Sequence, residues 1–363
     1  MKFIPGALAH GGDLKWASRA FGIREKDIVD FSSNVNARPV PAAVVKAVGK
    51  SLSGIARYPD VRCSKLLGAL SGRLGVEEGH IAAGNGSAEI IHRLVRAFRI
   101  KSAVVIMPAF GEYSKALLEA GARVRPFFTR ERNRFVPDIK EIAENIPSCA
   151  DALFFCNPNN PTGVLTPKED IESLAAVLRR KKTILVLDEA FIDLEEEESL
   201  VKSAPGAGNL LVLRSMTKFF GLAGLRLGYA VGSLAMIKSL RDFGQPWPVN
   251  VFAQAAGEAV LKERSFRVLS RREIIEERDF LYKRLIMARG VRPFPSRANF
   301  IMLKIENGIS SGKLQRILAK RGLLIRDCAD FPGLSDKYCR IAVRGRADNL
   351  RLLRELDIIL GQG

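Results

Sequence analysis

Hydrophobic and polar positions follow two different periods along the middle of the chain. Between residues 81 and 232, short apolar runs rich in β-branched residues fall at 103–107, 152–156, 183–187, 209–213 and 227–231. Longer stretches at 87–98, 112–120 and 167–180 repeat apolar residues three and four apart. The short runs read as strands buried on both faces and the longer stretches as amphipathic helices. Their alternation predicts an α/β fold, a large domain with a mainly parallel sheet flanked by helices. Thr166 is the expected N-cap of the third helix, with Pro167 at its first helical position. After Trp247 the pattern changes. A long charged helix is predicted over 250–289, then strands near 299–304, 323–326 and 339–343 interleaved with helices, as in a smaller α+β domain. The expected division is an N-terminal arm with part of the small domain (1–45), the large domain (46–248), and an interdomain helix with the small C-terminal domain (249–363).

Composition narrows the class. A chain of 363 residues, 47% of them hydrophobic, can bury a large core. No apolar run is long enough to span a bilayer, and the apolar patch near the N-terminus is broken by Pro5 and Gly6. A cytoplasmic protein without a membrane partner is expected. The five cysteines form no CxxC pair, and His10, His80 and His92 share no ligand-like spacing, so reduced thiols and no metal are expected. The net charge is +18, but the basic residues are dispersed rather than gathered in a tail. That dispersal suits small anionic molecules, and no nucleic-acid partner is expected. The acidic run 195–198 and the basic runs at 179–182 and 271–272 read as solvated helix faces.

The candidate chemistry gathers at strand ends, where ligands of such sheets bind. The strand over 209–213 leads into Ser215, Thr217 and Lys218, with Arg226 eight positions after the lysine. An amine flanked by hydroxyls can condense with a carbonyl, and a guanidinium fork suits a phosphate dianion. The turn Gly84-Asn85-Gly86-Ser87-Ala88 opens a helix whose free N–H groups favour phosphate. Phe110, just past the next strand, offers a face on which an aromatic ring can stack. Asn160 lies in the Pro-fixed loop Asn157-Pro158-Asn159-Asn160-Pro161-Thr162-Gly163, where its amide can donate to a ring oxygen. Asp188, behind four apolar residues, can pair with a protonated ring nitrogen. Pyridoxal phosphate requires this set of groups.

Read together and in this order, these segments resemble the fold-type I pyridoxal-phosphate enzymes, in the aminotransferase branch that contains histidinol-phosphate aminotransferase. The resemblance implies that Lys218 bonds the cofactor, Asp188 pairs with the ring nitrogen, Asn160 with the ring oxygen, and Phe110 stacks on the ring. It implies a phosphate site at Gly86, Ser87, Ala88, Ser215, Thr217 and Arg226. Arg57-Tyr58-Pro59-Asp60 is similar to the segment that sends a tyrosine into the neighbouring subunit's site, so a homodimer with Tyr58 reaching across is implied. Phe191 departs from the branch, whose aminotransferases usually carry a tyrosine there. That departure agrees with a subgroup that decarboxylates a phosphorylated amino acid, with transamination of histidinol phosphate as the alternative. Such a substrate needs cationic anchors, for which Arg326 and Arg340 are the candidates, with His10, Asn34 and Asn160 beside them.

Overall fold

The computed structural model describes residues 11–361. The strands in order are β1 (Val29–Asp30), β2 (Ile81–Gly84), β3 (Ser102–Met107), β4 (Arg123–Phe128), β5 (Ala152–Cys156), β6 (Ile184–Asp188) and β7 (Leu210–Ser215). They continue with β8 (Gly228–Val231), β9 (Val291–Pro293), β10 (Phe300–Ile305), β11 (Leu323–Leu324), β12 (Arg326–Asp327) and β13 (Tyr338–Ala342). Seven of these described strands form the main sheet in the order β2-β8-β7-β6-β5-β3-β4. From β7 to β4 every pairing is parallel, while β8 runs antiparallel to both neighbours. The α/β class expected from the pattern is present, as a mixed and mostly parallel sheet.

Period-two alternation explains why the central strands are apolar throughout. Leu153, Phe155, Leu185, Leu187 and Val212 point into one core, packed against helices Ser64–Leu74, Lys168–Arg180 and Val251–Lys262. Phe154, Val186, Leu211 and Leu213 point the other way, under helices Ser87–Ala97, Gly111–Glu119 and Leu234–Phe243. Both faces are covered, so the carboxyl ends of β3, β5, β6 and β7 are left as the place where polar groups converge.

A second, antiparallel sheet has the order β12-β13-β10-β9. It shares a core with helices Arg264–Met287, Ser311–Lys320 and Arg346–Leu360, and Phe31 is part of that core. Strand β1 pairs with β11, which carries residues 29–34 across to the site.

Several expectations are corrected. The helix over 250–289 is two helices, Val251–Lys262 and Arg264–Met287, interrupted at Glu263 (φ −81°, ψ 73°). The Arg267 guanidinium donates to the Leu261 carbonyl freed at that break. The run 323–326 is also two elements, because Leu323–Leu324 bonds β1 while Arg326–Asp327 bonds β13. Pro167, not Thr166, is the N-cap, with the helix beginning at Lys168. The Lys168 N–H donates to Glu198 Oε2 at 2.9 Å, while Thr166 is held by both ends of the Asn157 amide at 3.0 and 2.8 Å. The acidic run is solvated only in part, with Glu197 exposed. Glu195 is buried between Arg278 and Arg297, and Glu196 meets Arg73. Strand β4 has no counterpart in the sequence reading: as the sheet edge it is only half-buried, so its sequence RVRPFF lacks a continuous apolar run.

Candidate active site

A cavity of about 270 Å³ lies at the carboxyl ends of the main-sheet strands, closed on its far side by β12, β13 and residues 32–34. Each wall is set by local structure. On one side, β2 turns at Gly86 (φ +84°) into the helix that begins at Ser87, so Ser87 and Ala88 open onto the cavity. A Cβ at Gly86 would lie 3.0 Å from Arg226 Nη2, and glycine therefore leaves the guanidinium its place. Ser215 and Thr217 follow at the end of β7, their hydroxyls 2.7 Å apart and buried. Ser87, Ser215, Thr217 and Arg226 thus surround the N-terminus of one helix, an arrangement for a phosphate group.

The floor is built around Asp188. Its Oδ1 accepts from the Ala190 N–H at 3.0 Å and its Oδ2 from the Tyr113 hydroxyl at 2.5 Å. Burial raises its carboxyl above the ordinary value, opposed by those two donors and by Lys218. Tyr113 escaped the sequence reading. It stands three residues after Phe110 on the first turn of Gly111–Glu119, and that spacing was the available signal. Phe110 meets the Tyr113 ring edge-on at 5.8 Å and lines the cavity.

Lys218 reaches into this space with its Nζ 5.9 Å from the centre of the Phe191 ring. Burial is the main cause that lowers its amine from 10.5 to about 8; Arg340 and Arg226 add to the effect and Asp188 opposes it. A lysine so placed is partly neutral near neutral pH, the condition for a nucleophile.

The small sheet supplies the opposite wall. Arg340 is buried on β13, its Nη1 donating to Asn160 Oδ1 and its Nη2 to the Ser32 carbonyl at 2.9 Å. Its Nε, like Asn34 Oδ1, is buried without a hydrogen-bond partner among the described residues. Since Asn160 Oδ1 is engaged by Arg340, its NH₂ is the end left to donate into the cavity. Arg326 donates to Asp330 Oδ2 at 2.6 Å and lies over the Phe331 ring at 5.3 Å. Ser33, which the sequence reading passed over, also lines the cavity and donates its hydroxyl to Asp30.

The structure therefore brings Asn34, Ser87, Ala88, Phe110, Asn160 and Asp188 to one cavity with Ser215, Thr217, Lys218, Arg226, Arg326 and Arg340. Gly86 stands directly behind it. Tyr58 does not line it; the residue is 79% exposed and its ring stacks on Trp247 at 4.2 Å. His10 lies outside the described residues.

A lysine with a lowered pKa, a buried carboxylate and a phosphate cradle at the carboxyl ends of β7, β6 and β2 define a known architecture, and residues 26–356 match the model of "Aminotransferase class I and II". The chain belongs to that family. It is 36% identical over 355 residues to the threonine-phosphate decarboxylase of Salmonella typhimurium, covering 97% of this chain and 96% of that protein. Its fold is similar to the L-threonine-O-3-phosphate decarboxylase of Porphyromonas gingivalis (TM-score 0.83, 28% identity, 92% of this chain and 100% of that one). It is similar also to the histidinol-phosphate aminotransferase of Clostridium acetobutylicum (TM-score 0.86, 28% identity, 92% and 99%).

The residues of this family member fit pyridoxal phosphate. Among the described residues, the buried Asp188 carboxylate is hydrogen-bonded only by neutral donors, so a protonated ring nitrogen would supply the cation its burial calls for. The space that Gly86 leaves beside Arg226, with the paired hydroxyls of Ser215 and Thr217, suits a phosphate dianion.

Proposed function

We propose that the protein is a pyridoxal-phosphate-dependent decarboxylase that converts L-threonine O-3-phosphate to (R)-1-amino-2-propanol O-2-phosphate, the linker precursor of cobalamin. One observation carries the reading: a single cavity joins Lys218 and Asp188 to two arginines, Arg326 and Arg340, whose charges match a substrate bearing both phosphate and carboxylate. The likeness to two threonine-phosphate decarboxylases and the phenyl ring of Phe191, where aminotransferases of the branch usually carry a tyrosine, support decarboxylation over amino transfer.

When bound, pyridoxal phosphate supplies an aldehyde for the substrate amine and a cationic ring that takes up the electron pair of the breaking bond. Asp188, held by Tyr113 and Ala190, would pair with the ring nitrogen and favour its protonated form. Asn160, turned by Arg340, would donate to the ring oxygen. Arg326 and Arg340 would bind the two anionic groups and so fix how the carboxylate is oriented about the α-carbon. The Lys218 ammonium, whose pKa burial lowers to about 8, would be the group that delivers a proton to the α-carbon once carbon dioxide has left.

The working form in this proposal is a cytoplasmic homodimer with Tyr58 reaching the neighbouring site. Exposed Tyr58 with Leu52, Ile55 and Val61 nearby in sequence supports this. No helix among the described residues is long and apolar enough to cross a membrane. The test is incubation of the cofactor-loaded protein with L-threonine O-3-phosphate and no keto acid. Carbon dioxide and aminopropanol phosphate in equal amounts are expected. No turnover, together with glutamate formed from histidinol phosphate and 2-oxoglutarate, would overturn the proposal.

A further inference from the structure

The segment between β1 and the helix Ala42–Ser51 touches both walls of the cavity, and most of it has no part in the chemistry above. It is tied first to the small sheet. The Phe31 N–H donates to Leu324 at 2.7 Å, and the Phe31 carbonyl accepts from Ala342 at 2.8 Å. The Ser32 carbonyl accepts from Arg340, and the Asn34 carbonyl from the Asn299 amide at 2.9 Å. Two residues later it is tied to the turn that carries Lys218. Asn36 is buried; its N–H donates to the Lys218 carbonyl at 3.0 Å and its Nδ2 to the Phe219 carbonyl at 2.8 Å. The remaining end of the amide, Oδ1, accepts from the Arg38 N–H at 2.9 Å. Arg38 in turn grips Glu273 with two N–H groups, at 3.1 and 2.6 Å.

We propose that Asn36 is a positioning residue for Lys218, clamping the carbonyls of Lys218 and Phe219 so that the amine enters the cavity at a fixed depth relative to Arg340. Lys218 lies past the end of β7, in a turn rather than in the sheet ladder. The side chain is long and flexible, so its reach is set by where the backbone stands. A displacement of about 1 Å at a reacting group can cost on the order of 100-fold in rate. The strap delivers both Arg340, through Ser32, and Lys218, through Asn36, from one continuous eight-residue stretch, residues 29–36. The inference rests on Lys218 being the cofactor lysine.

The test compares the full chain with Asn36→Ala, Asn36→Ser and Arg38→Ala. In cofactor-free protein, the pH midpoint for acylation of the Lys218 amine is followed by peptide mass spectrometry; in loaded protein, kcat and KM are measured. Asp188, Arg226 and Arg340, the charged groups that add to or oppose the effect of burial on the midpoint, are unchanged in all three variants. Asn36→Ala is expected to raise the midpoint by about one pH unit, a tenfold change in proton affinity, and to lower kcat at least tenfold with KM little changed. Asn36→Ser reads the same quantities should the alanine variant fail to fold. Arg38→Ala, which leaves the clamp in place, is expected to lower the melting temperature without moving the midpoint. If the Asn36 variants melt earlier with midpoint and kcat unchanged, the residue is merely structural and the inference fails. If Lys218→Ala still binds pyridoxal phosphate covalently, the reading beneath it fails instead.

Discussion

Replacing Lys218 by methionine in the cofactor-free protein is expected to stabilise it. The ammonium is largely buried beside Arg340 and Arg226, which lowers its pKa from 10.5 to about 8. That difference corresponds to about 3 kcal/mol at pH 7, at 1.36 kcal/mol per pH unit. Methionine is similar in length and removes the cost. It also withdraws the attraction that Lys218 exerts on Asp188, so a net gain of about 1–3 kcal/mol is expected. For a chain of this size the unfolding entropy is about 0.8 kcal/mol per degree, which makes the shift in melting temperature about 1–4 °C. The sign of the pH dependence follows from the direction of the pKa change. Below about 8 the folded protein must protonate a group that resists it, and the cost is complete. Between 8 and 10.5 the folded lysine is already neutral while the unfolded one still holds its proton, so the wild type gains stability as pH rises and the gap closes. Thermal denaturation of both proteins at pH 7, 8.5 and 10.5, at matched concentration, reads this directly. A variant no more stable than the wild type at pH 7, or a gap that does not shrink with pH, would refute the reasoning.

Tyr113→Phe removes the hydroxyl from Asp188 and is expected to raise that carboxyl's pKa further; cofactor affinity should fall about tenfold, measured by absorbance titration. Arg214→Leu leaves Glu189 and Asp193 buried without their cation, 3.4 and 2.9 Å from it in the wild type. Loss of about 3–5 kcal/mol in urea denaturation is expected. At Gly228 an added Cβ would fall inside contact distance of the Ser87 nitrogen and the Gly86 carbon. Gly228→Ala should therefore push the Gly86–Ser87 turn away from β8, with a cost of about 1–3 kcal/mol by denaturation and weaker cofactor retention on dialysis.

Much of the main sheet was legible because β3, β5, β6 and β7 are buried on both faces and so read as unbroken apolar runs, those of β5, β6 and β7 ending where polar residues begin. Asp188 is the last residue of β6, and Lys218 and Asn160 stand just past the ends of β7 and β5, which is why pattern alone could nominate them. The edge strand β4 and the division of the long helix at Glu263 left no such mark, since one is half-exposed and the other is a backbone change without Gly or Pro. By itself, then, the sequence determined the fold class, the strand ends on which chemistry sits, and the kinds of group gathered there. Those follow from local periodicity and residue type. Tertiary structure alone decided that Tyr113 supports Asp188, that Arg340 turns Asn160, and that Asn36 clamps Lys218. Asn160 and Arg340 are 180 positions apart, and Asn36 bonds the Phe219 carbonyl across 183. Contacts at such separations are made when distant segments pack onto one core, and no local pattern in the chain encodes them.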